Sequence, residues 1–431
     1  MSNLQPAPSP PPPASRHQIF AWSLFDFANT AFYVVILTVG YPLYFKHVVA
    51  ASHHQADFFW GLSFSISMLC VALLSPILGA IADYGAGKKR FLFLFTYLCI
   101  AATIGTFFVE ADMVVMGMLF VILANIGFEA GLVFYDAFLP EITTERSLGR
   151  ISGYGFAMGY VGSLITLAVS FPLLKGGFAA DNLFAYRFTF LIAAAFFAVF
   201  SAPLFLFLPD RQLRERFRLR LVSAGFQRLK STFAEFQQYR NVARFLLSYF
   251  IYIDAINTII VFSTIFASET LKMEPAEIVI FFAVVQTSAI LGSTTFGILA
   301  DKFGQKKILT VSLLLWLLIT LIAFFTESKA VFYLLGILAG IALGSSQSTS
   351  RSLFSLLIPP EKKTEFFGFY SFFGKASAIL GPALFGFVSS YVNQRVAILT
   401  VGLLLFVGLL LLGRVTEPAH GETFREPLLK S

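Results

Sequence analysis

The sequence predicts an all-α membrane protein of twelve transmembrane helices, arranged as two pseudo-symmetric six-helix bundles. Three observations carry that prediction. Hydrophobic residues make up 57% of the chain and charged residues 13%, with Phe at 53 positions. A water-soluble domain carries about 25% charged residues, so lipid must wet most of this surface. Apolar runs close to the roughly 20 residues that cross a bilayer recur twelve times along the chain. Finally, the basic loop G-A-I-A-D-Y-G-A-G-K-K-R over Gly79–Arg90 returns as G-I-L-A-D-K-F-G-Q-K-K over Gly297–Lys307. An offset of 218 superposes Gly79 on Gly297, Asp83 on Asp301, Lys88 on Lys306 and Lys89 on Lys307. Such a duplication in an apolar chain is the mark of secondary transporters.

In chain order, residues 1–19 hold six prolines between Pro6 and Pro13 and read as a disordered cytoplasmic tail. Six spans follow at about 20–45, 58–82, 91–109, 113–139, 151–174 and 186–208, forming an N-terminal bundle over 20–208. A charged connector occupies 209–240. Its Leu213, Phe217 and Leu221 alternate with Arg214, Arg216, Arg218 and Arg220, as in a basic amphipathic helix on an anionic leaflet; a solvated tether is the alternative. The second set, at about 241–268, 275–300, 308–326, 330–357, 365–392 and 395–413, forms a C-terminal bundle over 241–413, followed by a cytoplasmic tail over 414–431.

With the N-terminus inside, the inner segments hold 23 of the 31 Lys and Arg and the outer segments six, so both termini are expected in the cytoplasm. The net charge of +7 is confined to loops in this way and does not point to nucleic acid. No G-x-x-x-x-G-K-[ST], H-E-x-x-H, C-x-x-C or G-x-S-x-G occurs, which argues against an enzyme and against a cofactor or metal. His47, His53 and His54 read as a solvated outer loop, and Cys70 and Cys99 as packing residues.

The polar residues within the spans carry the functional signal. A charge near the bilayer centre costs about 3 kcal/mol on insertion scales, so it faces a cavity or a partner. Asp26 and Asn29 lie one turn apart in the first span, and the D-x-x-N-T pattern returns at Asp254 and Asn257 in the seventh. Glu129 and Asp136 lie in the fourth span, Arg351 in the tenth and Lys375 in the eleventh. All but Lys375 fall on spans 1, 4, 7 and 10, the symmetry-equivalent first helices of three-helix repeats. Helical rise places Glu129 and Asp254 mid-membrane and Asp26, Asp136 and Arg351 nearer the cytoplasmic side; Asp136, close to Pro140, reads as interfacial.

The paired loops resemble the signature after the second and eighth helices of the major facilitator superfamily. More specifically, W-S-L-F-D-F-A-N-T-A-F over Trp22–Phe32 resembles the opening of its vacuole-effluxer-like family. Supporting blocks lie at Phe134–Glu141, Arg150–Gly162, Gln347–Ser352 and Phe366–Pro382. The resemblance implies the major facilitator fold, alternating access, and Asn rather than Asp at position 136. Fungal vacuolar members of that family are associated with efflux of amino acids released by autophagic degradation. The compact outer loops of this chain fit a bacterial cytoplasmic (inner) membrane protein.

The expected function is secondary transport of a small polar solute, an amino acid or related zwitterion, by alternating access with protons as the candidate coupling ion. Asp26, Asn29, Glu129, Asp254, Asn257, Gln347 and Arg351 are the candidate binding or coupling residues. Arg351 is suited to a carboxylate, Asp254, Glu129 or Asp26 to an ammonium group, and Glu129 or Asp254 to a proton. Gly79, Asp83, Lys88, Lys89, Arg90, Gly297, Asp301, Lys306 and Lys307 are the expected cytoplasmic latches. Gly153, Gly159, Gly368 and Gly374 are expected at close helix contacts. A monomer in the lipid bilayer is expected. The alternatives are a non-transporting sensor or scaffold of the same fold and a drug efflux carrier.

Overall fold

The computed structural model describes residues 14–53, 55–83, 87–209, 239–377, 384–385, 387–388 and 391–418. The proline run, His54, the arginine-rich part of the connector and the end of the C-terminal tail lie outside the described residues. The N-terminal six spans are α1 (Arg16–Val49), α2 (Ala56–Ile81), α3 (Lys88–Phe107), α4 (Val114–Asp136), α5 (Leu148–Leu174) and α6 (Leu183–Phe207). Their counterparts are α7 (Arg240–Ile265), α8 (Pro275–Phe303), α9 (Gln305–Phe325), α10 (Lys329–Leu357), α11 (Lys363–Ser377) and α12 (Gln394–Gly413). Among the described residues, 11 helices are long and apolar enough to cross a membrane.

The first helix begins at Arg16, before the apolar run and inside the stretch expected to be a tail. Ser15 and Gln18 explain the early start: the Ser15 hydroxyl accepts from the Gln18 N–H and the Gln18 side chain accepts from the Ser15 N–H. This capping box satisfies two donors that a bare helix end leaves unpaired. Further on, α1 widens into π-helical turns at Tyr33–Val39 and Phe45–Val49. Pro42 between them lacks an N–H and crowds the carbonyl one turn back, and a widened helix is one way to absorb that defect.

Each bundle packs internally through matching pairs, α1 on α5 and α6 in the first and α7 on α11 and α12 in the second. The bundles meet mainly through α5 on α8 and α2 on α11, which exchange under the repeat. Glycines make these contacts possible. A methyl group at Gly153 would overlap the Ser293 carbonyl, and one at the equivalent Gly368 would overlap that of Ser75. Gly79 lies against the backbone of Thr364 and Glu365, and Gly297 against that of Gly149. By contrast, Gly159 and Gly374 face helices of their own bundles, at Thr30 and Tyr249.

One register differs from the sequence reading. Gly87 and Gly304, at φ +80° and +100°, occupy the same turn, a conformation open to glycine without a Cβ clash. The second loop is therefore one residue shorter than the first. Lys88 corresponds to Gln305, both buried, and Lys89 to Lys306 rather than Lys88 to Lys306. Lys89 donates to the Leu208 carbonyl after α6, and Lys306 to the Gly413 carbonyl at the end of α12 at 3.0 Å.

The described termini lie on one face. Gln18 donates to the Phe207 carbonyl at the end of α6, and the Glu417 carboxylate accepts from the Gln305 and Lys306 N–H groups that start α9. This side is the terminal face.

Candidate functional site

Between the bundles lies a cavity of about 550 Å³. Its base, toward the terminal face, is set by Asp26, Asp136 and Arg351. Asn29, Glu129, Gln347 and Lys375 line its polar middle, and aromatic walls including Phe262, Phe281 and Phe332 rise toward the opposite face.

Arg351 reaches from α10 into the other bundle. One guanidinium nitrogen donates to Asp136 at 2.9 Å and lies 3.5 Å from Asp26, while Nε and the other terminal nitrogen donate to the hydroxyl and carbonyl of Ser152 at 3.0 and 2.8 Å. The guanidinium also stacks near Trp22 and Phe156, its central carbon 5.0 and 4.1 Å from their ring centres. Cation–π contact and paired carboxylates are what a guanidinium needs in place of water. Expected as a ligand for a substrate carboxylate, Arg351 is here occupied by the protein itself. Asp26 in turn accepts from the Asn29 amide at 3.3 Å.

Toward the opposite face, the Lys375 ammonium of α11 pairs with the Glu129 carboxylate of α4 at 2.5 Å. Both line the cavity. Nearby, the Tyr160 hydroxyl of α5 donates to Gln347 of α10 at 2.6 Å. Each of these ties joins one bundle to the other across the cavity.

The structure thus gathers Asp26, Asn29, Glu129, Asn257, Gln347 and Arg351 on one cavity. It does not bring Asp254 there. Asp254 is buried within its own bundle, and only Asn257 of the repeated pair borders the cavity. Sequence reasoning named two further residues, Asp136 and Lys375, but left them out of the candidate binding or coupling set. Asp136 lies two turns from Glu129 on the same face of α4, a spacing that offered a clue. Lys375 stood outside the helix pattern, and only its ionisable end in an apolar run singled it out.

The paired loops meet the opposite bundle on the terminal face. Asp301 accepts from the Gly149 and Arg150 N–H groups at 2.7 and 3.2 Å and from the Arg150 guanidinium at 2.8 Å. Asp83 accepts from the Glu365 N–H at 2.8 Å. Each carboxylate therefore caps the first turn of the other bundle's helix, α5 or α11, where the helix dipole favours negative charge. Lys88 is buried, donates to the Ala137 carbonyl at 2.9 Å and pairs with Glu141, so it braces its own bundle. Arg90 and Lys307 are exposed. Lys363, at the start of α11, donates to the Pro140 carbonyl at 3.2 Å, and burial lowers its ammonium from the usual lysine range against the opposing pull of Glu141.

Two bundles around a central cavity, with matched loop contacts between them on one face, define a transporter of the major facilitator class, not an enzyme. Solved structures agree on the fold. The human organic anion transporter MFSD10 (TETRAN) superposes with a TM-score of 0.74 at 15% identity, covering 93% of this chain and 100% of its own. The proton:xylose symporter XylE, bound to 6-bromo-6-deoxy-D-glucose, superposes at 0.71 with 14% identity, covering 93% and 95%. Residues 51–419 match the family described as vacuole effluxer Atg22 like, and the chain belongs to that family. An uncharacterised MFS-type transporter of Bacillus subtilis (strain 168), YxiO, is 33% identical over 409 residues, 92% of this chain and 94% of its own length. Autophagy-related protein 22-1 of Penicillium rubens is 23% identical over 497 residues, 93% and 80% of the two chains.

Proposed function

We propose that this membrane transporter carries an amino acid or related zwitterion by alternating access, with protons as the coupling ion. The observation that supports this reading is the Glu129–Lys375 pair, one partner from each bundle, at the edge of the cavity. A zwitterion brings an ammonium group for Glu129 and a carboxylate for Lys375. It can replace the pair without leaving either charge unpaired in a poorly solvated site, where an unpaired ion is costly. Binding then dissolves one tie between the bundles, which links occupancy to their motion. Lys375 takes the carboxylate role that the sequence suggested for Arg351, because Arg351 is held by Asp136 and Ser152.

On this reading the terminal face is cytoplasmic, as the distribution of Lys and Arg suggests, and the membrane is the bacterial inner membrane. Asp83 and Asp301 act as cytoplasmic latches, with Gly79 and Gly297 allowing the close approach they need. Lys88, Lys89, Arg90, Lys306 and Lys307 hold the loops and their charge on that side.

The test is flux in proteoliposomes loaded with the purified chain. Labelled amino acids should accumulate when a pH gradient is imposed, and Glu129→Gln and Lys375→Met should each abolish uptake and lower the melting temperature by stranding one charge, whereas the double variant, which strands none, should melt near wild type and still not transport. Absence of flux for every amino acid, or flux indifferent to both substitutions, would sink the reading. Thermal stabilisation by a solute without flux would identify a sensor instead.

A further inference from the structure

We propose that Asp26 and Asp136 together form a proton-binding site, one proton shared between two carboxylates held by Arg351, and that the proton holds the terminal face shut. This deepens the transport reading and rests on it for the use made of the proton. The sequence pointed to Glu129 and Asp254 for this role. Glu129 is matched one to one by Lys375, and Asp254 does not border the cavity, so neither has both a charge surplus and a path to water.

The charge count at Arg351 is different. Two carboxylates, from α1 and α4, converge on one guanidinium nitrogen from α10, at 3.5 and 2.9 Å. If both are ionised, a buried cluster carries a surplus negative charge. Two like charges sharing one counter-ion titrate as a unit, and the first proton belongs to the pair. Trp22, Phe156 and Tyr135 surround the guanidinium and exclude water from it. The remaining titratable groups around the pair do not supply the missing charge. Lys375 of α11 is engaged by Glu129, and an ordinary phenol, as in Tyr135, Tyr160, Tyr249 and Tyr370 of α4, α5, α7 and α11, carries no charge near physiological pH.

The direction of the effect follows from solvation. While the terminal face is shut, the surplus carboxylate is mostly buried, and a proton makes the cluster neutral. When the bundles part there, Arg351 leaves with α10, and the two carboxylates meet water in which both can ionise. The shut arrangement therefore binds the proton more tightly, so protons favour it and rising pH releases it. Because Asp26, Asp136 and Arg351 also line the cavity, the proton can enter from the side opposite the terminal face and leave at the terminal face once it opens.

Two measurements on the full chain test this without knowledge of the solute. In the first, infrared difference spectra across neutral pH are compared for unlabelled protein and protein labelled with 13C at the aspartate side-chain carboxyl. A protonated-carboxyl band that shifts with the label, and that disappears in Asp26→Asn and Asp136→Asn but not in Glu129→Gln, is expected. A band that ignores the label, or no band, would overturn the proposal. In the second, spin labels at Arg146→Cys and Lys302→Cys, on either side of the α5–α8 contact, report the terminal gap in a background lacking Cys70 and Cys99. The short-distance population should fall several-fold as pH rises in the wild-type background. Either Asn substitution leaves one carboxylate for one guanidinium and should hold the short distance at all pH values. An unchanged pH profile in both variants would refute the coupling. If flux fails for every solute while these two results stand, the transport reading falls and the proton site remains.

Discussion

The two ends of the molecule are held by different kinds of bond. On the terminal side, polar ties cross from one bundle to the other: Asp301 onto α5, Asp83 onto α11, and Arg351 onto Asp26, Asp136 and Ser152. Beyond the Glu129–Lys375 tie across the middle of the cavity, the ion pairs described at the opposite face itself stay within a bundle. Arg187 meets Glu110 at 2.9 Å in the first, and Lys329 meets Glu277 at 2.6 Å and Arg395 meets Glu327 at 3.2 Å in the second. The first kind of bond opposes separation of the bundles, and the second keeps each one rigid while it moves. The molecule is therefore in the state closed on the terminal side.

Removing Arg351 should have the largest effect on the terminal closure. Arg351→Met deletes the shared counter-ion and leaves Asp26 and Asp136 buried without it. Breaking a buried pair by losing one partner costs about 3–5 kcal/mol. The short terminal distance should largely disappear in the spin-label experiment, and the melting temperature should fall. Retention of both at wild-type values would mean that Arg351 contributes nothing to the closure.

Much of this division was legible in the sequence, but not its pairing. Length and apolarity announced the helices, and the cost of charge in a membrane singled out Asp26, Glu129 and Arg351. Partners were another matter. Arg351 and Asp136 are 215 residues apart and meet only when the bundles pack, so no local pattern connects them. Asp254 repeated the Asp26 motif faithfully, yet the rotation of α7 turns only Asn257 toward the cavity. The loop repeat was visible as well, while the missing residue that moves Lys306 into the place of Lys89 became apparent only from the two left-handed glycines.

A smaller effect is expected from the two loop carboxylates. Asp301→Ala removes the acceptor for two N–H groups of α5 and the partner of Arg150, and Asp83→Ala removes one acceptor from α11. Loss of a helix cap costs about 0.5–2 kcal/mol. Asp301→Ala should therefore weaken the closed state by about tenfold, and Arg150→Met, which leaves both backbone N–H contacts to Asp301 in place, by less. The spin-label distances measure this ratio directly. Equal effects would show that the two backbone contacts contribute nothing beyond the Arg150 guanidinium, which is half exposed.

The smallest effect belongs to the opposite face and serves as the control. Glu277 sits at the start of α8, where the Lys329 ammonium and then the Glu274 N–H hold its carboxyl below the usual glutamate value. A carboxylate with a lowered value in the folded chain stabilises it above the ordinary glutamate range and loses that contribution as pH falls through the lowered value. Lys329→Met should consequently produce a slight drop in melting temperature at neutral pH that vanishes in acid. It should leave the terminal distance unchanged at every pH, because both partners belong to the second bundle. A shift of that distance in Lys329→Met would place this pair among the bonds that set the gap, and the contrast between the two ends would no longer hold.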